Sequence, residues 1–278
     1  MSIIVNTNTA SIFAQRSLGV NTRSLEKSIE KLSTGFRINR AGDDAAGLSI
    51  SESLTAQIRG MYKAKQNAGD GVSMVQTAEG SLSVIHDNLQ RIRELVVQSK
   101  NETYGATEKD AMQAEIEERV QAIKDISSAT EFNGINLLNG SADIKLQVGS
   151  EDNQTLTVAL KAESIKVDST TGAIGGSGIK LDDLDVTGTA SISEVDTLIT
   201  NVSGMRSYLG AVQNSLESRM DYLDVAIENN SSSLARVRDV DVARETSILL
   251  KNQILQKSAA TMLSQANSTP KLALDLLP

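Results

Sequence analysis

Apolar residues recur along much of the chain in steps that alternate between three and four, the spacing of a narrow apolar seam on one face of an α-helix. The longest uninterrupted seam covers positions 61–96. It predicts a single helix of roughly 54 Å. The early half of this seam is mostly alanine and glycine, so we expect a partner helix to approach closely there. Its later half consists of branched and bulky side chains.

A second long seam begins at Val195 and continues to Val237, with one extra step of four between Leu216 and Met220. A helix with 3.6 residues per turn needs a phase shift of this kind. A shorter helix is predicted at about 108–128, where apolar positions share one face and glutamates lie on the other.

Both ends of the chain carry a seam of their own. The N-terminal seam comprises Leu18, Leu25, Ile29, Leu32 and Phe36, and the C-terminal seam comprises Ile248, Leu255, Ala259, Met262 and Ala266. A helix with one narrow apolar stripe is poorly stable alone. We therefore expect the two terminal helices to pair with each other and then with something else.

Between the helical halves the pattern changes to alternation with a period of two. The alternating apolar residues are Ile144, Leu146 and Val148, followed by Leu156, Val158 and Leu160. With GSEDNQ between the two runs, they predict a β-hairpin near 142–162. The glycine-, serine- and threonine-rich stretch at 166–189 predicts a short flexible tip.

These patterns together predict a mainly α protein. We expect a long antiparallel helical rod or coiled-coil bundle with a small β-hairpin region and with the N- and C-terminal helices paired.

Composition narrows the functional classes. The chain has 27 basic and 35 acidic residues and a net charge of −8, which argues against a nucleic-acid partner. It has no cysteine, which excludes disulfides and thiolate metal sites. No stretch approaches the ~18 apolar residues of a membrane span, so membrane insertion is not expected. The N-terminal residues lack the pattern of a Sec-type signal peptide.

A Gly-Asp-Asp triplet is the one feature that suggests metal catalysis. Adjacent aspartates on a helix point about 100° apart, and no second acidic motif accompanies them. Asp43 and Asp44 instead precede a helical stretch, where an aspartate can cap the first turn. Arg37 and Arg40 lie within reach of both acids. We expect a structural role for them, with no catalytic residue, no metal and no cofactor.

Several long motifs, in the same order along both terminal halves, resemble bacterial flagellin. They are RINRAGDDAAGLSIS, NAGDGVSMVQTAEGSL, LQRIRELVVQS, EFNGINLLNG and ILQKSAATMLSQAN. The resemblance covers nearly all of residues 1–165 and 190–278. It implies a structural subunit that polymerises into the bacterial flagellar filament for motility and is therefore secreted.

The resemblance also implies a division of the chain. Residues 1–43 with 237–278 would form the inner, core-lining helices, and residues 44–165 with 190–236 the rod domain. The tip at 166–189 would stand in place of large variable domains, making this a minimal flagellin. The opening motif then becomes an elbow between inner helix and rod. The elbow residues are Arg37, Arg40, Gly42, Asp43, Asp44 and Gly47, with the two glycines allowing the bend.

The implied partners are other copies of the chain in a helical homopolymer, the flagellar type III export apparatus with an export chaperone, and the filament cap and junction proteins. Because each terminal helix has only a narrow seam, we expect these helices to be largely disordered in an isolated copy and to fold on polymerisation.

A further implied partner is the host Toll-like receptor 5, which would contact the rod helix. The matching positions are Leu89, Gln90, Arg91, Arg93, Glu94 and Leu95, with Glu115 on the neighbouring helix. Arg91 is the best anchor, because a guanidinium offers several donors in a fixed fork. The alternative is that these polar residues are simply solvated helix positions.

Two other functions remain open from the sequence. One is a hook–filament junction protein, which shares similar terminal regions. The other is an intracellular coiled-coil scaffold, which would not need a matched seam at each end of the chain.

Overall fold

The computed structural model describes residues 7–139, 143–159 and 192–274, with side chains to residue 269. The elements in chain order are α1 (Thr9–Thr34), α2 (Ala45–Ser99), α3 (Ala106–Ala129), β1 (Glu131–Phe132), β2 (Ile135–Asn136), β3 (Ile144–Gln147), β4 (Thr155–Val158), α4 (Ile192–Arg238) and α5 (Val242–Leu274). They form two compact units. We call Met1–Ala56 with Asn229–Pro278 the terminal unit and Gln57–Glu228 the middle unit. Leu160 and the predicted tip lie outside the described residues.

In the terminal unit, α1 and α5 pack side by side as an antiparallel pair. The Asn8 side-chain amide donates to the Ala266 carbonyl at 2.7 Å, and Gln256 donates to the Thr22 hydroxyl at 3.0 Å. The start of α1 therefore lies beside the end of α5. The predicted pairing of the terminal helices is confirmed.

The residues that make this pair agree only in part with the predicted terminal seams. Ala14 and Ser28 of α1 and Ala259 of α5 are buried, whereas Met262 is 68% and Leu255 40% exposed. Small side chains face the partner helix because they allow the backbones to approach closely. The predicted seams therefore mark this contact only in part: Ala259 is buried and Leu18, Leu25, Leu32, Ile248 and Ala266 are half-buried, whereas Ile29, Leu255 and Met262 are exposed.

Helix α1 ends before the last residue of its predicted seam. Gly35 adopts a left-handed conformation with φ 76°, and its N–H donates to the Lys31 carbonyl, which terminates the helix. Phe36 therefore lies beyond the helix, where it forms a β-bridge with Asp239.

In the middle unit the predicted seams are buried as expected. No apolar side chain of the α2 seam from Met61 to Val96 is more than 6% exposed. In the α4 seam from Val195 to Leu216, none is more than 8% exposed. Helix α3 adds Met112, Ile116, Val120 and Ile123 to the same core. The predicted mainly α fold and the helix at about 108–128 are confirmed.

The predicted hairpin is also present. Strands β3 and β4 pair antiparallel, with Ile144 opposite Val158 and Leu146 opposite Leu156. The Arg219 Nε donates to the Val148 carbonyl at 3.1 Å, and the Asn67 side chain donates to the Gln147 carbonyl at 3.0 Å. These bonds fasten the hairpin to α4 and α2.

A second, smaller hairpin was missed. Strands β1 and β2 pair through Glu131 with Asn136 and Phe132 with Ile135. Between them Asn133 and Gly134 have φ values of 51° and 77°, the conformation that Asn-Gly supplies most readily in two-residue turns. The NG pair at 133–134 is a strong local hairpin signal.

Candidate functional site

The elbow ends at the start of α2, and Asp44 caps this helix. The Asp44 Oδ1 accepts from the Gly47 N–H at 2.9 Å, while the Asp44 carbonyl accepts from the Leu48 N–H at 3.0 Å. These bonds satisfy amides that a helix start otherwise leaves unpaired. The predicted capping role is therefore shown for Asp44 alone.

Asp43 has a different role from its neighbour. Its Oδ2 accepts from the backbone amides of Arg40 at 3.2 Å and Asn39 at 3.4 Å, and its Oδ1 lies 3.6 Å from the Lys27 ammonium. Desolvation raises the pKa of Asp43, but the two amide bonds and Lys27 together outweigh it and lower the pKa below its usual value. Asp43 thus closes the loop that precedes α2.

The predicted pairing of these acids with Arg37 or Arg40 is wrong within the chain. Arg40 forms an ion pair with Glu30 at 2.9 Å, and Arg37 donates to the Val237 carbonyl at 2.6 Å. An arginine side chain is long enough to reach several acceptors, and here both find partners contributed by helices that pack nearby rather than by the adjacent motif.

The glycines of the elbow also act differently from expectation. Gly47 lies in the first turn of α2, and a Cβ there would meet Asp44 Oδ2 at 2.5 Å and Ile38 Cδ1 at 2.7 Å. It is needed for close packing rather than for a bend. Gly42 has no positive φ and no atom within 4 Å of a Cβ. The left-handed turn comes from Gly35.

A short clasp joins the two helix breaks of the terminal unit. We use this name for residues 35–37 with 237–240. The Arg37 N–H donates to the Arg238 carbonyl at 2.6 Å, and the Val240 N–H donates to the Gly35 carbonyl at 3.0 Å. The Arg238 guanidinium lies 4.5 Å from the Phe36 ring centroid and donates to Glu52 at 3.3 Å. The clasp was not predicted, because its two strands are single bridge residues far apart in sequence.

Beyond the clasp, α1 and α5 present large apolar residues to the outside. The exposed fraction is 65% for Phe13, 60% for Ile12, 65% for Ile254 and 57% for Leu250. A groove of about 460 Å³ runs between the two helices and includes Phe13, Leu255 and Met262 among its lining residues. We call these exposed residues and the groove the terminal apolar surface. Such a surface is unusual on a protein that acts alone.

On the middle unit, the receptor-matching residues form a polar cluster around Arg91. The Arg91 Nε donates to Glu115 Oε1 at 2.9 Å, and its Nη1 donates to Glu94 Oε2 at 3.0 Å. These bonds, the one to Glu115 first, raise the pKa of Arg91. Arg119 lies 3.8 Å from the same Glu115 carboxylate. The two glutamates thereby hold the guanidinium plane in a fixed orientation.

Two neighbouring matches also have defined contacts. Arg93 is paired with Asp196 of α4, at 2.5 Å from its Nε to Oδ1, and this hydrogen bond lowers the pKa of Asp196. The Gln90 amide lies 2.8 Å from the imidazole of His86. Gln90 and Arg93 are both exposed on the outer side of α2.

The two leucines of the motif are not surface residues. Leu89 is 0% and Leu95 2% exposed, and both belong to the core of the middle unit. They can support a contact surface only by fixing the position of α2. The structure therefore brings Gln90, Arg91, Arg93, Glu94 and Glu115 to the outside and places the leucines beneath them.

Within the ranges 7–139, 143–159 and 192–269, no three histidine or acidic side chains converge in a way that could hold a metal ion. Among the helices described, none is long and apolar enough to cross a membrane.

Comparison with known proteins gives a consistent match along the chain. Residues 5–143 match the bacterial flagellin N-terminal helical region, and residues 192–277 match the bacterial flagellin C-terminal helical region. A flagellin of Halalkalibacterium halodurans is 43% identical over 277 residues, covering 99% of this chain and 100% of the relative. A flagellin of Bacillus subtilis is 39% identical, covering 98% and 99%.

One similar relative is named as a filament protein rather than as a flagellin. The flagellar filament 33 kDa core protein of Treponema phagedenis is 38% identical over 286 residues and covers 99% of this chain and 100% of the relative.

Proposed function

Since the chain belongs to the bacterial flagellin family and is a structural subunit of the extracellular flagellar filament, we propose that the terminal apolar surface is where copies of it assemble. The observation that carries this proposal is the set of large apolar residues that the terminal unit leaves exposed. Ala14, Ser28 and Ala259 are buried between or beside the paired helices, whereas Phe13, Ile254 and Met262 are mostly exposed. Burying each of them fully would contribute about 1.5–3 kcal/mol.

This arrangement supports the division of the chain given by the resemblance. Residues 1–43 with 237–278 line the filament core, and residues 44–165 with 190–236 form the rod around it. The middle unit has a complete core of its own, so it does not depend on neighbours for burial. The terminal unit leaves its largest apolar side chains uncovered, so its folding is coupled to polymerisation.

Substitution on α5 tests the assembly surface. Ile254→Glu and Met262→Glu each place a charge on a side chain that is mostly exposed in the single copy. They should prevent sedimentation of filaments after seeding while leaving the helical content of the middle unit unchanged. Ile254→Leu and Met262→Leu keep the apolar character and are the matched controls. Normal filament yield from the glutamate variants would contradict the proposal.

The family membership also supports partners beyond the filament itself. We infer that the chain leaves the cell through the flagellar type III export apparatus with the help of an export chaperone, and that cap and junction proteins contact the filament ends. The chain should be absent from the medium of a strain that lacks the export apparatus and retains Sec secretion. Secretion by such a strain would contradict the route.

Recognition by Toll-like receptor 5 is the second proposed function. It is supported by the outward position of Gln90, Arg91, Arg93, Glu94 and Glu115 on adjacent helices. Arg91 is held by Glu115 and Glu94, so its guanidinium is oriented before a partner arrives. A partner group that bonds to its remaining donors would lose little side-chain entropy on binding.

A reporter cell that expresses the receptor tests this function. Arg91→Ala should shift the dose response to higher concentration. Lys65→Ala is the matched control, because it too removes a basic side chain of α2 with its ion pair, here to Asp224 of α4, but lies 26 residues away, about 39 Å along α2. An unchanged response for Arg91→Ala, or an equal shift for Lys65→Ala, would remove Arg91 from the contact.

A further inference from the structure

Three ion pairs connect α2 to α4 in the middle unit, with regular spacing on α2 and with partners 18 and 10 residues apart on α4. Lys65 pairs with Asp224 at 2.6 Å, Glu79 with Arg206 at 2.7 Å, and Arg93 with Asp196 at 2.5 Å. On α2 the three charges stand two heptads apart, and each directly follows a residue of the buried seam. Their signs alternate as plus, minus, plus along α2 and as minus, plus, minus on the facing positions of α4.

The apolar seam alone does not fix how α2 and α4 align. Because apolar residues repeat every seven positions on both helices, apart from the extra step of four between Leu216 and Met220, a slip by whole heptads again sets most apolar residues against apolar residues. Proteins with such repeats need a second signal that distinguishes the correct register from the slipped ones.

The alternating charges supply that signal for slips of two heptads. Moving α4 in one direction brings Arg206 to within one turn of Lys65 and Asp196 to within one turn of Glu79. The opposite slip brings Asp224 to within one turn of Glu79 and Arg206 to within one turn of Arg93. Each slip therefore replaces opposite-charge pairs with like-charge pairs, and like charges at such positions are unfavourable.

A one-heptad slip is opposed by different features. It breaks all three pairs, and among the charges only Lys65 finds an opposite partner, Glu217. The core adds a steric constraint. A Cβ on Gly71 would lie 3.3 Å from Leu216 Cδ1, because that leucine occupies the space that the glycine leaves. After a one-heptad slip Leu216 would face Ala64 or Ala78 instead of Gly71, and the added methyl group would make this contact tighter.

We propose that the alternating ion pairs Lys65–Asp224, Glu79–Arg206 and Arg93–Asp196 are a register code that excludes two-heptad slips when α2 and α4 associate. This role concerns folding of the middle unit and is independent of the assembly and receptor proposals. It predicts that the sign pattern matters more than the number of ion pairs.

Variants with equal numbers of ion pairs separate these two quantities. The double variant Glu79→Arg with Arg206→Glu, called the central exchange, keeps three opposite-charge pairs in the native register. It makes α2 uniformly positive and α4 uniformly negative at these positions. Slipped registers then also gain opposite-charge pairs. Exchanging both partners in all three pairs reverses every sign but restores the alternation, and this six-residue variant is the matched control.

Spin labels report the register directly. The chain has no cysteine, so Gln66→Cys and Ser207→Cys introduce the only two labelling sites, one on α2 and one on α4. Both positions are exposed. A two-heptad slip changes the axial offset of the labels by about 21 Å. Distances are measured by pulsed electron spin resonance on the full chain after refolding from denaturant.

The chain with the native charges and the six-residue control should each give one distance population. The central exchange should give a second population displaced by roughly the 21 Å slip. Refolding the native-charge chain in about 1 M salt, where the Debye length is about 3 Å, should also produce slipped molecules. One unchanged population for the central exchange and in high salt would overturn the proposal. If the central exchange does not refold, the salt experiment alone decides.

Discussion

At the scale of the residue, Gly47 is the elbow position that should tolerate least change. A Cβ there would collide with both the capping carboxylate of Asp44 and the buried Ile38 side chain. We expect Gly47→Ala to lower the temperature at which filaments depolymerise by several degrees, since losing a cap costs about 0.5–2 kcal/mol. Scanning calorimetry of purified filaments measures this temperature. Gly42→Ala is the control and should change it little, because that position has open space and no positive φ. Equal shifts in the two variants would be inconsistent with the packing role.

The ion pairs of the middle unit make a second prediction at this scale. Hydrogen bonds from Arg91 and Arg93 lower the pKa of Glu115 and of Asp196, respectively. These groups therefore stabilise the fold above the pKa of the unfolded chain, about 4.3 for glutamate and 3.9 for aspartate, and the contribution is lost as the pH falls through the lower folded-state pKa.

Carboxyl NMR titration separates the two pairs. Arg91→Ala should raise the pKa of Glu115 and leave that of Asp196 unchanged, and Arg93→Ala should do the reverse. Movement of both pKa values in either variant would show that the shifts do not come from these individual pairs.

Residue type predicted the role of a side chain more reliably than it predicted the partner of that side chain. The position of Asp44 before an apolar helical stretch was enough to predict the cap. The partners of Arg37 and Arg40 were not predictable from the motif, since they are Val237 and Glu30, which tertiary packing brings near. The surface position of the receptor-matching residues depended on the seam: Leu89 lies on it and is buried.

At the scale of the element, Gly71 of α2 leaves room for the Leu146 side chain of the β3–β4 hairpin. A Cβ at this position would lie 2.5 Å from Leu146 Cδ1. We expect Gly71→Ala to lower the free energy of unfolding by about 1–3 kcal/mol, the usual cost of overpacking a core. Urea unfolding followed by circular dichroism gives this value.

The matched control lies half a turn away. Gly69 has no atom within 4 Å of a Cβ, so Gly69→Ala should be neutral or stabilise by up to about 1 kcal/mol through helix propensity. Gly71→Ala combined with Leu146→Ala should recover part of the steric cost. Destabilisation of the same size in both single variants would contradict this packing role of Gly71.

Helices with a complete partner inside the chain were predictable from spacing. The seams of α2 and α4 are buried as expected because each faces the other and α3. The terminal seams agree with the burial of α1 and α5 only in part, for a physical reason. Three-and-four spacing shows which residues are apolar on one face, but it does not tell whether that face meets the paired helix or another copy of the chain. The β1–β2 hairpin is too short for periodicity to reveal and rests on its Asn133–Gly134 turn alone.

At the scale of the whole molecule, the two units differ in how they bury apolar residues. The middle unit encloses the branched side chains of its α2 and α4 seams, whereas the terminal unit exposes Phe13, Ile254 and Met262 by 65–68%. Under the assembly proposal, this difference predicts that the middle unit is stable in a single copy and that the terminal helices need neighbours. It also assigns a consequence to each unit: substitutions in α5 should affect polymerisation, and substitutions in the α2–α4 seam should affect folding.

Hydrogen exchange of single copies and of sheared filaments, measured by mass spectrometry, tests this account most directly. Amides of α1 and α5 should exchange within seconds in the single copy and become protected by several orders of magnitude in the filament. Amides of the α2–α4 seam should be protected to a similar degree in both states. Equal and strong protection of α1 and α5 before and after assembly would contradict the account.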